Sequence, residues 1–193
     1  MYISKIILDN KKVKTILSTQ TPQLIHGYMK THFPNEFPLW RIEPNERTML
    51  LLTENNPDLT DFIEQFGVCA KTIPYTIPEE VKEGQVWQYR IKARPHKKCK
   101  GRSYGLKTRE EKKDWLKDKL TGVGFDVKTM EIIQDKPMKF KHRKGDVPDI
   151  VLANVTYDGF VTITDVEKAR EALTKAIGGK STYGLGMLTL AKI

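Results

Sequence analysis

The chain has 193 residues, of which 39% are hydrophobic, and it carries a formal net charge of +9. This length suits one large domain or two domains of about a hundred residues each. Its two cysteines, Cys69 and Cys99, lie far apart with no second pair, which argues against a disulfide framework and a thiolate zinc site and favours a reducing cytoplasm. Because the sequence shows neither a signal peptide nor a long apolar span, no membrane partner is expected.

The first half of the chain alternates strand and helix patterns. The predicted order is strand, helix, strand, strand, helix, strand over Tyr2–Leu8, Pro22–Phe33, Leu39–Glu43, Thr48–Thr53, Leu59–Phe66 and Cys69–Thr76. Thr21 and Pro22 supply a helix start, and Asn45 marks the turn between two strands. This βαββαβ order is the ferredoxin-like plan.

The second half repeats the plan with additions, after a linker marked by Pro74, Pro78 and Gly84. A strand over Val86–Ala93 and a basic loop lead to a helix from Thr108 to about Leu120, which opens on a capping-box pattern. The remaining predicted elements are strands at Phe125–Gln134, Met138–His142, Asp149–Tyr157 and Phe160–Ile163, with Asp158-Gly159 as a hairpin turn, then a helix over 165–177 and a closing strand. We therefore expect an α+β protein with tandem ferredoxin-like (RRM-like) domains at 1–78 and 85–193.

Most of the net positive charge lies in one segment. Residues 92–119, the first basic cluster, hold twelve Lys/Arg and four acidic residues, and residues 136–144, the second basic cluster, hold five basic residues and no acidic one. A single run of this kind is usually a solvated surface, but two of them together with the glycine-rich loop at 178–186 favour a nucleic-acid partner bound through its phosphates. The candidate phosphate contacts are Lys97, Lys98, Lys100, Arg102, Lys107, Arg109, Lys112, Lys113, Lys139, Lys141, Arg143 and Lys144.

A glycine-rich loop, Gly178–Gly186, contains four glycines in nine residues. It is not a Walker loop, because Thr174 stands where that motif needs a glycine and because the predicted order is helix, loop, strand. Two uses remain open at this point: a structural crossover, or a loop that contacts a nucleic-acid backbone through Gly179, Lys180 and Ser181. The central strands lack the aromatic signature of RNA-stacking sheets, so stacking on a sheet face is not expected to dominate binding.

Several segments taken in order resemble the type I-E CRISPR-associated endoribonuclease family, the CasE subunit of Cascade. They are Met1–Asp9, Leu24-Ile25-His26 with Phe33-Pro34, Leu39–Glu43, Tyr89–Pro95, Leu106–Thr108 with Lys112 and Trp115-Leu116, and Gly184–Leu190. The resemblance implies binding of a CRISPR repeat hairpin, metal-independent cleavage at its base without a cofactor, and retention of the crRNA with the other Cascade subunits. Two departures are Gln23, where members often have a tyrosine, and Lys92-Ala93-Arg94-Pro95, where members have Arg-Ala-Asn-Pro.

The resemblance also singles out His26 among the histidines. Histidine titrates near pH ~6.5 and can give or take a proton in RNA cleavage by the 2′-hydroxyl, and Lys30, four residues on, shares its helix face. Tyr28 is a further catalytic candidate. It is two residues from His26 and two from Lys30, so on a regular helix its side chain points away from theirs. The alternative functions are a non-catalytic crRNA-binding subunit of the same complex and a basic scaffold protein.

Overall fold

The computed structural model describes residues 1–20, 22–140, 149–179 and 181–193. The predictions at Thr21, Lys141, Arg143, Lys144 and Lys180 lie outside the described residues. The chain divides into two compact units. Unit 1 comprises Met1–Tyr75, Ser181–Gly184 and the described part of Lys139–Ile150, and unit 2 comprises Thr76–Met138, Val151–Lys180 (described to Gly179) and Leu185–Ile193. The domain limits at 78 and 85 stay a prediction.

Unit 1 is built on a four-stranded antiparallel sheet covered by helices. Its elements are β1 (Tyr2–Leu8), α1 (Val13–Gln20), α2 (Gln23–His32), β2 (Leu39–Ile42), β3 (Thr48–Thr53), α3 (Thr60–Phe66) and β4 (Gly67–Pro74). The sheet order is β2-β3-β1-β4, with β1 between β3 and β4. This order confirms the ferredoxin-like plan, and α1 is an added helix that the sequence patterns did not predict.

The core of unit 1 follows from the period-two pattern of β1. Ser4, Ile6 and Leu8 are buried while Lys5 is exposed, as expected for a strand with one covered face. The buried Ser4 hydroxyl is satisfied by the Thr72 hydroxyl at 2.8 Å. Helices α2 and α3 bury Ile25, Tyr28, Met29, Phe62 and Phe66 in the same core as Ile6 and Leu8. One face of α2 is therefore fixed by packing, which leaves its opposite side for other contacts.

Unit 2 contains a second four-stranded antiparallel sheet of the same order. Its main elements are β5 (Val86–Ala93), α5 (Arg109–Gly122), β8 (Phe125–Asp135), β11 (Val155–Ile163), α6 (Val166–Thr174) and β12 (Leu188–Ala191). The strand order β12-β5-β11-β8 places the first and third strands of this second βαββαβ unit at the centre. The tandem ferredoxin-like architecture is thus confirmed.

Smaller elements complete the described chain. Helix α4 (Ile77–Glu80) follows β4, and β6 (His96–Cys99) pairs with β7 (Arg102–Gly105) where the sequence predicted a basic loop. Strands β9 (Met138–Phe140) and β10 (Ile150–Leu152) form a two-stranded sheet. Within the residues described, no helix is both long enough and apolar enough to cross a lipid bilayer.

The predicted hairpin turn at Asp158-Gly159 is wrong, because both residues lie inside the continuous strand β11. Gly159 has a different reason to be glycine: a Cβ there would lie 2.0 Å from the Thr129 carbonyl oxygen on β8. Asp158 meets Arg90 on β5 in a salt bridge whose guanidinium donates to both carboxylate oxygens. A close backbone approach and a cross-strand ion pair thus explain a dipeptide that resembles a turn.

The start of α5 agrees with its predicted capping box. The Thr108 hydroxyl accepts from the Glu111 N–H at 3.1 Å, and Glu111 Oε2 accepts from the Thr108 N–H at 3.1 Å. The same carboxylate oxygen accepts from the Lys107 N–H at 3.1 Å. Helix α6 starts in a similar way, with the Asp165 carboxylate accepting from the Lys168 N–H, but it ends at Thr174, three residues before the predicted end.

Candidate functional site

Helix α2 has one side that faces the core and another side that carries polar side chains. Ile25, Tyr28 and Met29 are buried at helical spacing, whereas His26 is half-buried and Lys30 is exposed. His26 and Lys30 are one turn apart on the same face, as their spacing predicts. The helix therefore presents an imidazole and an ammonium group together.

These two side chains line a cavity of about 330 Å³ in unit 1. Its walls come from α2, from the following loop 33–38, from Trp40 on β2, and from two residues of the glycine-rich loop. The lining residues are His26, Met29, Lys30, Phe33, Pro34, Glu36, Phe37, Pro38, Trp40, Ser181 and Thr182. The structure thus brings together three predicted site residues, His26, Lys30 and Ser181, that lie up to 155 residues apart in sequence.

The glycine-rich loop reaches this cavity as a short 3-10 helix, Ser181–Tyr183. The Tyr183 ring packs edge to face on the His26 ring, with centroids 5.7 Å apart and planes at 66°. The Tyr183 ring also packs against the Phe140 ring, with centroids 5.1 Å apart. Because aromatic pairs favour tilted geometries of this kind, Tyr183 limits the orientations open to the imidazole.

Gly184 fixes the end of this 3-10 helix. Its N–H donates to the Ser181 carbonyl at 3.0 Å, its φ is +74°, and a Cβ there would lie 2.5 Å from the Trp40 ring. Gly178 and Gly186 also have positive φ, so three of the four glycines have a conformational reason within the chain. Gly179 is not among these three glycines, and a Cβ at this position would meet nothing within 4 Å.

Tyr28 is not brought to the cavity. It is 6% exposed and packs edge to face on Phe62, 5.0 Å away, and burial followed by the charges of Asp61 and Asp58 raises its pKa. The His32 ring stacks on Tyr28 at 3.8 Å, and its Nε2 lies 3.7 Å from Asp61. His32 is therefore on the same helix as His26 but faces a different environment.

The first basic cluster is mostly exposed in unit 2. Four of its candidates lie on or beside the hairpin β6–β7, and two more lie at the start of α5. These exposed residues are Lys97, Lys98, Lys100, Arg102, Lys107 and Arg109. Lys113 is half-buried with its ammonium 3.7 Å from Glu131. A row of exposed cations along a hairpin and a helix start is suited to phosphate contacts.

Lys112 is an exception among the basic candidates. It is 8% exposed, and its ammonium donates to the Asp135 carboxylate on β8. This geometry gives Lys112 a structural role, since a buried ammonium needs an anionic partner. In the second cluster, Lys139 is exposed and lies 3.4 Å from Asp149. In the glycine-rich loop, Ser181 is half-buried at the cavity wall.

Sequence reasoning missed several residues at the site, the polar Glu36 and Thr182 as well as aromatic ones. Phe37, Trp40 and Tyr183 each border the cavity or the His26 ring, and none belongs to a catalytic motif. Tyr183 carried one usable signal, its place inside the glycine-rich loop Gly178–Gly186. Across the described ranges, no three His, Cys, Asp or Glu side chains are close enough to hold a metal ion together.

The fold and this site define a tandem ferredoxin-like protein with a histidine–lysine cavity in unit 1. A family model described as CRISPR associated protein matches residues 1–192, and the chain belongs to that family. It is also similar to the CRISPR-associated endoribonuclease Cse3 of Thermus thermophilus, with 28% identity over 168 residues that cover 79% of each chain.

Solved structures share the fold over the whole chain. A structure of the CRISPR endoribonuclease Cse3 bound to a 19-nucleotide RNA aligns with a TM-score of 0.87 and 24% identity, covering 100% of both chains. Thermus thermophilus Cse3 bound to an RNA representing a pre-cleavage complex aligns with a TM-score of 0.83 and 24% identity, over 99% of this chain and 98% of that one. Cas6e from Escherichia coli K-12 aligns with a TM-score of 0.75 and 23% identity over 100% of both chains.

Proposed function

We propose that this chain is an endoribonuclease that binds CRISPR repeat hairpins and cuts precursor crRNA without a metal ion. The observation that carries the proposal is the shared cavity of His26 and Lys30, closed on another side by Ser181 and Thr182. A titratable imidazole beside a cation is the minimum that such a reaction needs. Membership of the CRISPR associated protein family and similarity to an endoribonuclease support the substrate class.

The reaction is a transesterification within the RNA. The 2′-oxygen forms a bond to the adjacent phosphorus while the bond from phosphorus to the 5′-oxygen breaks. One proton leaves the 2′-hydroxyl and one reaches the 5′-oxygen, so the products are a 2′,3′-cyclic phosphate and a 5′-hydroxyl. His26 performs one of these proton transfers and water performs the other, while the Lys30 ammonium stabilises the negative charge on the phosphorane oxygens.

Binding uses the exposed cations described above. Lys97, Lys98, Lys100 and Arg102 on the hairpin β6–β7 hold phosphates of the stem, and Lys139 contributes from the second cluster. The product stays bound as part of Cascade, because the contacts between these cations and the stem phosphates are the same before and after cleavage. The free and exposed cysteines, Cys69 and Cys99, fit work in a reducing cytoplasm.

The test is a single-turnover cleavage assay on the cognate repeat hairpin. We expect His26→Ala to lose cleavage by about 10²–10⁴-fold, the usual contribution of a general acid or base, while its affinity for the hairpin stays unchanged. His32→Ala is the matched control, because this histidine lies on the same helix but contacts Tyr28 and Asp61 instead of the cavity. Cleavage should persist in EDTA.

Full activity of His26→Ala would reject the catalytic assignment. A chain that binds the hairpin tightly but does not cut it in any condition would be the non-catalytic crRNA-binding subunit. Weak RNA binding with little salt dependence would instead indicate a scaffold protein, because phosphate contacts make affinity fall with added salt.

A further inference from the structure

The lining of the cavity beside His26 combines two chemically different groups of residues. His26 and Lys30 lie on α2 and suit a phosphate, whereas the loop 33–38, called here the apolar end, contributes Phe33, Phe37 and two prolines. Aromatic side chains do not stabilise a phosphate. The apolar end therefore suits a different part of the same ligand.

Phe37 is the most telling residue of this apolar end. Its side chain is 91% exposed even though it borders the cavity, the largest exposed fraction among the large hydrophobic residues described. An exposed phenyl ring that also borders a cavity offers a flat surface for another ring. Nucleobases stack on such rings without regard to their identity, because every base has a π-face.

Glu36 adds a hydrogen-bond acceptor at the same end. Its Oε2 accepts from the Glu54 N–H at 2.8 Å, which fixes the carboxylate on the wall of the cavity. A carboxylate repels a phosphate but accepts from an N–H donor, and the Watson–Crick edges of adenine, cytosine and guanine carry an exocyclic amino group. This end of the cavity is therefore matched to a base that carries an amino group.

We propose that Phe37 and Glu36 form a nucleobase subsite for a nucleotide that flanks the scissile phosphate. Its base stacks on the Phe37 ring and donates an exocyclic N–H to Glu36. The inference rests on the proposed function, since it places the phosphate of that nucleotide beside His26 and Lys30. A cavity of about 330 Å³ is at the small end of ligand pockets, which suits one extruded base and not a paired stem.

Stacking is tested with a repeat hairpin that carries 2′-deoxyribose at the cut, so that it binds but cannot react, and 2-aminopurine at each flanking position in turn. We expect the fluorescence of one of the two probes to be quenched on binding, and the quenching to be lost in Phe37→Ala and kept in Phe37→Tyr. Val13→Ala is the matched control, because Val13 is 70% exposed on α1 and does not line the cavity. Unchanged quenching in Phe37→Ala at both positions overturns the subsite.

The Glu36 contact is tested by cleavage of an all-ribose hairpin. With adenosine at the position that stacks, replacing it by purine riboside, which lacks the amino group, should slow the wild type about fivefold or more and leave Glu36→Ala unaffected. Equal slowing in both proteins overturns the carboxylate contact. If the wild type neither binds nor cuts any repeat hairpin, the proposed function itself fails; if it cuts and Phe37→Ala cuts equally well with unchanged fluorescence, only the subsite fails.

Discussion

The His26 imidazole packs against the Tyr183 phenol ring, with centroids 5.7 Å apart and planes at 66°. Tyr183 is held in turn by Phe140 at 5.1 Å and by its place in the 3-10 helix that Gly184 ends. Gln23, three residues before His26, is not aromatic. The aromatic ring beside His26 comes instead from Tyr183, in a distant part of the sequence. Tyr183 is therefore a positioning residue for His26.

Removing the ring at position 183 should slow cleavage. We expect Tyr183→Leu to lower the single-turnover rate at saturating RNA by about 3- to 10-fold, because an aromatic pair of this geometry contributes about 0.5–1.5 kcal/mol. Hairpin affinity should stay the same, since the ring orients the imidazole and is not a phosphate contact. Tyr183→Phe is the conservative control and should keep the wild-type rate. An equal loss in both variants would assign the effect to the hydroxyl.

Gly184 should tolerate no side chain. Gly184→Ala would bring a Cβ to 2.5 Å from the Trp40 ring at a φ of +74°, so we expect a loss of about 1–3 kcal/mol in the free energy of unfolding. Cleavage should fall as well, because Ser181–Tyr183 would shift. Gly179→Ala is the matched control, since a Cβ there meets nothing within 4 Å. Urea unfolding of both variants makes the comparison, and equal stabilities would contradict the packing argument.

The salt dependence of RNA binding should report on the exposed hairpin cations. Lys98→Ala removes one of them, and we expect the slope of log affinity against log salt concentration to become shallower by about 0.7–0.9. Lys14→Ala serves as a control, because Lys14 lies on α1 and donates to Gln65 outside both basic clusters. An unchanged slope for Lys98→Ala would show that this lysine does not contact a phosphate.

The capping box of α5 should contribute measurably to stability. Thr108→Ala removes the hydroxyl that accepts from the Glu111 N–H, and we expect a loss of about 1 kcal/mol in the free energy of unfolding. Thr121→Ala, in the last turn of the same helix, is the control and should change stability little. A midpoint in urea that is the same for both variants would show that the cap is dispensable.

The other half of the capping box should make stability depend on pH. The N–H groups of Thr108 and Lys107 lower the pKa of Glu111 from its usual value of 4.5, so the folded state favours the carboxylate. This stabilisation is present above the unfolded pKa and is lost as the pH falls through the lower folded pKa. Glu111→Gln should therefore be less stable than the wild type at pH 7 but nearly equal to it at acidic pH. Glu110→Gln controls for the loss of charge, and a constant difference across pH would refute the linkage.

The sequence was most informative where structure is local. The strands Tyr2–Leu8, Thr48–Thr53 and Val86–Ala93 and the capping box at Thr108 were all predicted with their observed bounds, because alternation and capping are short-range patterns. The hairpin turn at Asp158-Gly159 was wrong, since the reasons for those residues are Thr129 and Arg90 on neighbouring strands. Helix α1 was missed, although Asp9, whose carboxylate accepts from the Lys11 N–H, stands shortly before it.

The site divides in the same way. The common face of His26 and Lys30 follows from a spacing of four, and it was predicted. Trp40 and Tyr183 could not be added from sequence alone, because their roles depend on contacts made between α2, β2 and a segment more than 140 residues away. Patterns within a short stretch of sequence do not predict contacts between residues so far apart in the chain.

Unit 1 is built from segments that are far apart in the chain, and this has a consequence for the order of folding. Its cavity needs Ser181 and Thr182, yet residues 76–138 and 151–179 belong to unit 2 and lie between this segment and the rest of unit 1 in the chain. Closing so long a loop costs more conformational entropy than pairing strands that are near one another in the chain. The β-sheet of unit 1 can therefore form before the His26 cavity does, so the gain of nuclease activity during refolding should lag behind the formation of that sheet.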